Sequence, residues 1–226
     1  MISIFSDKST IILRKMLKDP GNEWVVRSFS KENDPFYGVG HGRVQKILNE
    51  LDKQGYVERE KRGANSRTVF TSPDTLIEDW CKEYKFEFNT IHSFYSPDGN
   101  ILRKIKEYYN HKEDNYALTL HVAANLSTHY VKTEDIHLYI SASNFDDKTL
   151  ALRQSLDLKQ LVRGGNIHII RPYYKNSVFF NSQIVRGFRT VSKLQLYLDL
   201  YNYQPRGREH AQYLKKLLEE KSEKLD

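Results

Sequence analysis

His41-Gly-Arg-Val-Gln-Lys-Ile-Leu-Asn-Glu-Leu-Asp-Lys-Gln-Gly-Tyr-Val57 decides how the N-terminal part of this chain is read. Val44, Ile47, Leu48 and Leu51 recur at i, i+3, i+4 and i+7, which predicts a helix with one apolar side. Gly55, after Lys53 and Gln54, is the expected left-handed stop. The opposite side of the same helix carries Gly42, Lys46, Asn49 and Lys53, with Arg43 and Gln45 on its flanks. Such side chains donate to phosphates and read base edges, and Gly42 removes a side chain where backbone would approach DNA closely. His41, near the predicted start of the helix, is the one histidine expected to touch DNA.

Upstream, Ile11, Ile12, Leu13, Met16 and Leu17 lie at helical spacing before Asp19-Pro20-Gly21, with Ser9 or Thr10 as the expected cap. A second short helix is expected from Glu23-Trp24 to Asn33-Asp34-Pro35. The approach Tyr37-Gly-Val-Gly-His-Gly42 is longer than the tight turn of a usual helix-turn-helix, which leaves the start of the third helix open. Downstream, residues 56–60 and 67–71 are β-prone runs joined by a Gly/Asn-containing loop, a hairpin whose tip carries Lys61 and Arg62, with Arg67 just beyond. Helix, glycine and hairpin in this order resemble a winged helix-turn-helix, whose third helix enters the major groove of double-stranded DNA. The alternative is the same fold used for protein contact alone. Ser72-Pro73-Asp74 opens a further helix with Leu76, Ile77, Trp80 and Tyr84 along one side, Trp80 being expected in a core. We place the boundary near residue 88: a DNA-binding domain over 1–88 and a mixed α/β domain over 89–226, α+β as a whole.

Charge is unevenly spread. The net +6 over 226 residues divides into 13 Lys/Arg against 9 Asp/Glu in residues 1–72, 7 against 13 in 73–147, and 9 against 1 in 148–193. Two basic zones flanking an acidic one are what an electrostatic footprint looks like in sequence. Lys159, Arg163, Arg171, Lys175, Arg186, Arg189 and Lys193 belong to the second zone. They read either as a solvated face or as a surface that extends the DNA contact or meets an acidic partner. No apolar run reaches the ~18 residues that span a bilayer, and Met1–Lys8 do not have the make-up of a secretory signal. A lone cysteine, Cys81, fits a reducing cytoplasm and leaves no thiolate zinc site.

The remaining residues alternate between β-prone and helical stretches. Strands are expected at 90–95, 116–123, 136–142, 166–171 and 177–180. Helices are expected on the stripe Ile101, Leu102, Ile105, Tyr108, Tyr109 and over 124–130 and 147–154. Three stretches here are similar to the AbiEi family of type IV antitoxins: Tyr116-Ala-Leu-Thr-Leu-His-Val-Ala-Ala124, Gly164-Gly-Asn-Ile-His-Ile-Ile-Arg-Pro172 and Leu194-Gln-Leu-Tyr-Leu-Asp-Leu200, the last running into Pro205-Arg-Gly-Arg-Glu209 and a closing helix over 211–218. The resemblance implies an antitoxin that counters a nucleotidyltransferase-like toxin, represses its own operon and needs no cofactor. Within the third stretch the leucines alternate as in a strand, yet Leu194, Tyr197, Leu198 and Tyr201 also share one helical side; the resemblance favours helix. An ion pair of Asp199 with Arg206 or Arg208 is expected.

A stand-alone regulator whose C-terminal domain senses a ligand or protein partner is the second reading, and a nuclease or DNA-modifying enzyme the third. Pro97-Asp98 with Asp157-Leu-Lys159 imitates a nuclease pattern, but the second half falls between a helix and the Gly164-Gly165 turn rather than on a strand. Ser143-Asn-Phe-Asp-Asp147 has adjacent aspartates, whose side chains diverge on a strand, not the Asp-x-Asp of a nucleotidyltransferase. No phosphate loop or dinucleotide fingerprint is present, so a binding protein rather than an enzyme is expected, with no catalytic, cofactor or metal residues.

Overall fold

The computed structural model describes every residue except 1–2, 31–32, 35, 63–64, 111–114, 221–224 and 226, and the side chains of Lys61, Arg62 and Asn65 also lie outside the described residues. It divides the chain into two compact units, Met1–Tyr84 and Lys85–Leu225, and the fold class is α+β.

In the first unit, α1 (Asp7–Lys18) starts earlier than Ser9-Thr10. Both hydroxyls are buried inside the helix, Thr10 donating to the Asp7 carbonyl at 2.6 Å and Ser9 to the Ser3 carbonyl at 3.0 Å. The apolar stripe begins only at Ile11, so its periodicity carried no sign of the polar first turn. The expected second helix is reduced to a 3-10 turn, Val26–Phe29. Backbone pairing explains this: Trp24 exchanges two 2.8 Å hydrogen bonds with Thr68, which holds it extended against the hairpin. α2 (His41–Lys53) follows, and Gly55 ends it at φ +79°. β1 (Val57–Arg62) and β2 (Asn65–Phe70) pair antiparallel, so Lys61 and Arg62 have strand backbone rather than loop backbone. α3 (Pro73–Glu83) has proline in its first turn. Ile12, Leu13, Met16, Phe29, Val44, Ile47, Leu48, Leu51, Leu76 and Trp80 form a fully buried core. Burying side chains of this size stabilises by roughly 1.5–3 kcal/mol each before entropy is counted. Trp80 packs on Phe5 and under the Arg14 guanidinium, as core.

The second unit is built on β3 (Thr90–Phe94), β4 (Tyr116–Thr119), β5 (Ile136–Ile140), β6 (Ile167–Arg171), β7 (Gln183–Val185) and β8 (Phe188–Thr190), in the order β3-β6-β5-β4-β8-β7. β5 and β6, and β4 and β8, run parallel; the other pairs are antiparallel. One face takes α4 (Ile101–Asn110), through Tyr109 stacked on Tyr116, and α6 (Phe145–Ser155), through Phe145 against His92. The other takes α5 (Leu120–Thr128), α7 (Lys193–Tyr201) and α8 (Gly207–Glu220). Both faces of the central strands are therefore covered, and β4 and β5 are buried at every residue.

The expected 116–123 strand stops at Thr119, because Leu120 stands at φ +55° and turns the chain straight into α5. Residues 177–180 form turns, not a strand. The strands come later, joined by Arg186 and Gly187 at φ +49° and +79°. Two consecutive positive φ values make the tight hairpin turn that Asn-Gly usually signals; arginine in first place hid it. Two glycines are required by crowding. A Cβ on Gly165 would sit 2.4 Å from the Phe94 carbonyl oxygen, and one on Gly207 would sit 2.3 Å from that of Leu200.

Candidate nucleic-acid interface

On α2 the two sides are cleanly separated. Val44, Ile47, Leu48 and Leu51 are 0% exposed, whereas His41, Gly42, Arg43, Gln45, Lys46, Asn49 and Lys53 are all exposed. A helix covers one side with core and leaves the other wet when its apolar residues keep a 3.6 period. A Cβ on Gly42 would meet no atom of the chain within 4 Å, so nothing internal demands glycine there.

Beside this side lies Arg59 of β1, which sequence reasoning missed. Its guanidinium donates to the Asn49 Oδ1, to Thr68 Oγ1 at 3.2 Å and to Ser66 Oγ at 2.7 Å, while its backbone N–H donates to Asp52 Oδ1 at 3.1 Å. Burial lowers the Arg59 pKa, and Asp52 works against that. Strand alternation places Val57 and Arg59 on the inner side of β1, with Glu58 and Glu60 exposed on the other; a period-2 reading gives the side Arg59 faces but not the partners it meets there. Arg67 is exposed but forms an ion pair with Glu23. Lys61 and Arg62 can be placed by backbone only.

The second basic zone is not one surface. Lys159 pairs with Tyr95 just past β3, Arg163 precedes β6, and Arg186 and Arg189 belong to the β7–β8 hairpin at the far edge. Five strand spacings of ~4.8 Å separate β3 from β7, or about 24 Å. Arg171 is half-buried with its guanidinium 6.0 Å from the Phe145 ring, Lys193 is half-buried, and Lys175 is exposed in a loop. Asp98 is paired with Lys104 at 2.6 Å. Among the described residues no group of three or more His, Cys, Asp or Glu side chains is placed to hold a metal.

Polar chemistry in the second unit is internal. Asp199, 0% exposed on α7, accepts hydrogen bonds from Thr119 Oγ1 at 2.5 Å, Gln195 Nε2 at 2.7 Å and Tyr139 Oη at 3.1 Å. The expected ion pair with an arginine is corrected: Arg206 pairs with Glu209 and Arg208 donates to the Tyr201 hydroxyl. Both arginines flank an exposed turn, too near water to follow a carboxyl into the core. Four histidines gather in the same layer. His121 and His210 share a 2.9 Å hydrogen bond between their Nδ1 atoms, and His210 Nε2 lies 2.7 Å from Thr128 Oγ1. His137 stacks on His168 at 4.2 Å and is hydrogen-bonded to Tyr203. Burial pushes His137 down to about 3, helped by the neighbouring His168 and His121, and pushes His210 down to about 4. Burial also lowers His121 and His168.

The family model for "Transcriptional regulator, AbiEi antitoxin, Type IV TA system" matches residues 69–220. The chain belongs to this AbiEi antitoxin family. The match runs from within β2 through α8, so the antitoxin's α2 lies ahead of it. No curated protein and no solved structure matches the chain. As a family member it is an antitoxin and transcriptional regulator of a type IV toxin–antitoxin system. No helix among the described residues is long and apolar enough to cross a membrane.

Proposed function

We propose that this antitoxin represses its own operon by binding double-stranded operator DNA through residues 1–88, with residues 89–226 as the antitoxin domain. α2 enters the major groove, where Arg43, Gln45, Lys46 and Asn49 meet base edges and His41 and Lys53 lie towards the helix ends. Lys61 and Arg62 hold the hairpin, as a wing, on the phosphate backbone; Arg67 joins them only by exchanging its Glu23 partner for phosphate. Part of the second basic surface, Lys159, Arg163, Arg171, Lys175, Arg186, Arg189 and Lys193, is proposed to add separate phosphate contacts rather than one continuous track. The observation that carries the reading is the separation on α2: a fully buried aliphatic side against an exposed side with three cations and two amides. Its toxin is nucleotidyltransferase-like, a reading supported by the resemblance over residues 110–218, and the site of action is the cytoplasm, where the DNA is.

Binding of the duplex upstream of its own coding sequence, followed over a salt series, tests the DNA claim. A log–log slope near −0.9 per phosphate contact is expected; binding without salt dependence overturns the claim. For the toxin, a neighbouring gene product with Gly-Ser and Asp-x-Asp signatures should arrest growth until the antitoxin is co-expressed. Neutralisation of a toxin without those signatures would contradict the finer identification.

A further inference from the structure

We infer that Arg59 sets the base preference of α2 by fixing which way the Asn49 amide faces, so that Asn49 offers a donor to a guanine edge instead of gripping adenine. This rests on the reading of α2 as the helix in the major groove. Arginine carries five donors and no acceptor, so the Asn49 atom that meets the Arg59 guanidinium is the amide oxygen. Gln45 Nε2 approaches the same oxygen at 3.4 Å. The nitrogen, Nδ2, has no partner among the described residues and is the end of the amide left for a ligand. Arg59 cannot easily turn away, since Thr68 and Ser66 hold its other two nitrogens and strand pairing with Thr68 holds its backbone.

The consequence follows from the chemistry of the groove. Adenine is gripped by an amide that presents acceptor and donor together, to N6–H and N7, whereas guanine shows only the acceptors O6 and N7. With its oxygen occupied by a cation, Asn49 keeps the half of its chemistry that guanine accepts. Arg43 and Lys46, exposed on the same helix, also only donate. Arg59 is thus a positioning residue: it acts through Asn49.

Selection from a randomised duplex pool by the full chain tests this. The unaltered protein should select guanine at one position that depends on Asn49. Asn49→Asp keeps a partner for Arg59 and turns an acceptor outward, so selection at that position alone should move to cytosine, by about tenfold, within the range of one good base contact. Arg59→Leu frees the amide and should admit adenine there, with the salt slope unchanged. Three proteins selecting the same bases throughout would overturn the inference. So would an Arg59→Leu protein weakened equally on every sequence with its slope flattened by ~1, which marks a phosphate contact. Adenine selected through Asn49 in the unaltered protein sinks this inference and leaves DNA binding standing. Absence of salt-sensitive binding to any duplex sinks both.

Discussion

α2 and α7 are both helices that bury aliphatic side chains, and they dispose of their polar residues in opposite ways. α2 buries Val44, Ile47, Leu48 and Leu51 and turns its cations and amides outward. In α7 every residue from Leu194 to Leu200 is buried, Gln195 and Asp199 included. The difference lies in how many sides are covered. One covered side lets polar groups keep their water, so they serve partners; coverage all round forces each polar group to find a bond inside. The first arrangement suits recognition, the second specifies a core.

Removing an internal bond should therefore cost most. Asp199→Ala leaves the Thr119, Tyr139 and Gln195 donors without this acceptor and is expected to destabilise by about 3 kcal/mol. Urea unfolding followed by circular dichroism measures it. A cost under 1 kcal/mol would mean that the network is dispensable and the contrast with α2 is superficial.

Acid should act next, and again on the internal side. His137 titrates near 6.5 when unfolded and at about 3 when folded. Its folded value is depressed, so stability is at its full level above pH 6.5. It falls as the unfolded chain takes up protons between 6.5 and about 3. For His137 the loss reaches about 2–3 kcal/mol by pH 4.5, and His210, held at about 4, adds to it. The decline should start above the carboxylate range; an unfolding midpoint that is flat from pH 7 to 5 would contradict it.

On α2 the effect should fall on binding alone. Lys46→Glu is expected to weaken operator affinity by about 1–2 kcal/mol while leaving stability within ~0.5 kcal/mol, because the side chain is exposed. Isotherms paired with melting curves separate the two. A Lys46→Glu chain that binds normally, or unfolds, breaks the comparison.

The same difference decided what the sequence could reveal. The α2 stripe, the Gly55 stop, the hairpin and the exposed cations were legible because a half-covered element writes its environment into its period. α7 was ambiguous because a helix buried all round has no polar side to set the phase. The second helix was misread because Trp24 answers to Thr68, a partner 44 positions away, which no local window contains. Arg59 and the histidine group went unseen for a related reason. Their meaning comes from cross-strand neighbours: Thr68 opposite Arg59, and His168 opposite His137.

The basic zone over residues 148–193 is where sequence proximity misleads most, and it gives the smallest expected effect. Arg163 precedes β6, the strand next to one edge of the sheet, while Arg186 turns the β7–β8 hairpin at the other edge. Charges farther apart than the ~8 Å Debye length at physiological salt hardly sense each other. Arg163→Glu and Arg186→Glu should therefore alter the salt dependence of DNA binding by independent amounts, with a double-mutant coupling under ~0.5 kcal/mol. A single continuous cationic track would couple them, since one strand of phosphates would have to leave both. Coupling above 1 kcal/mol would show one continuous track in place of separate contacts.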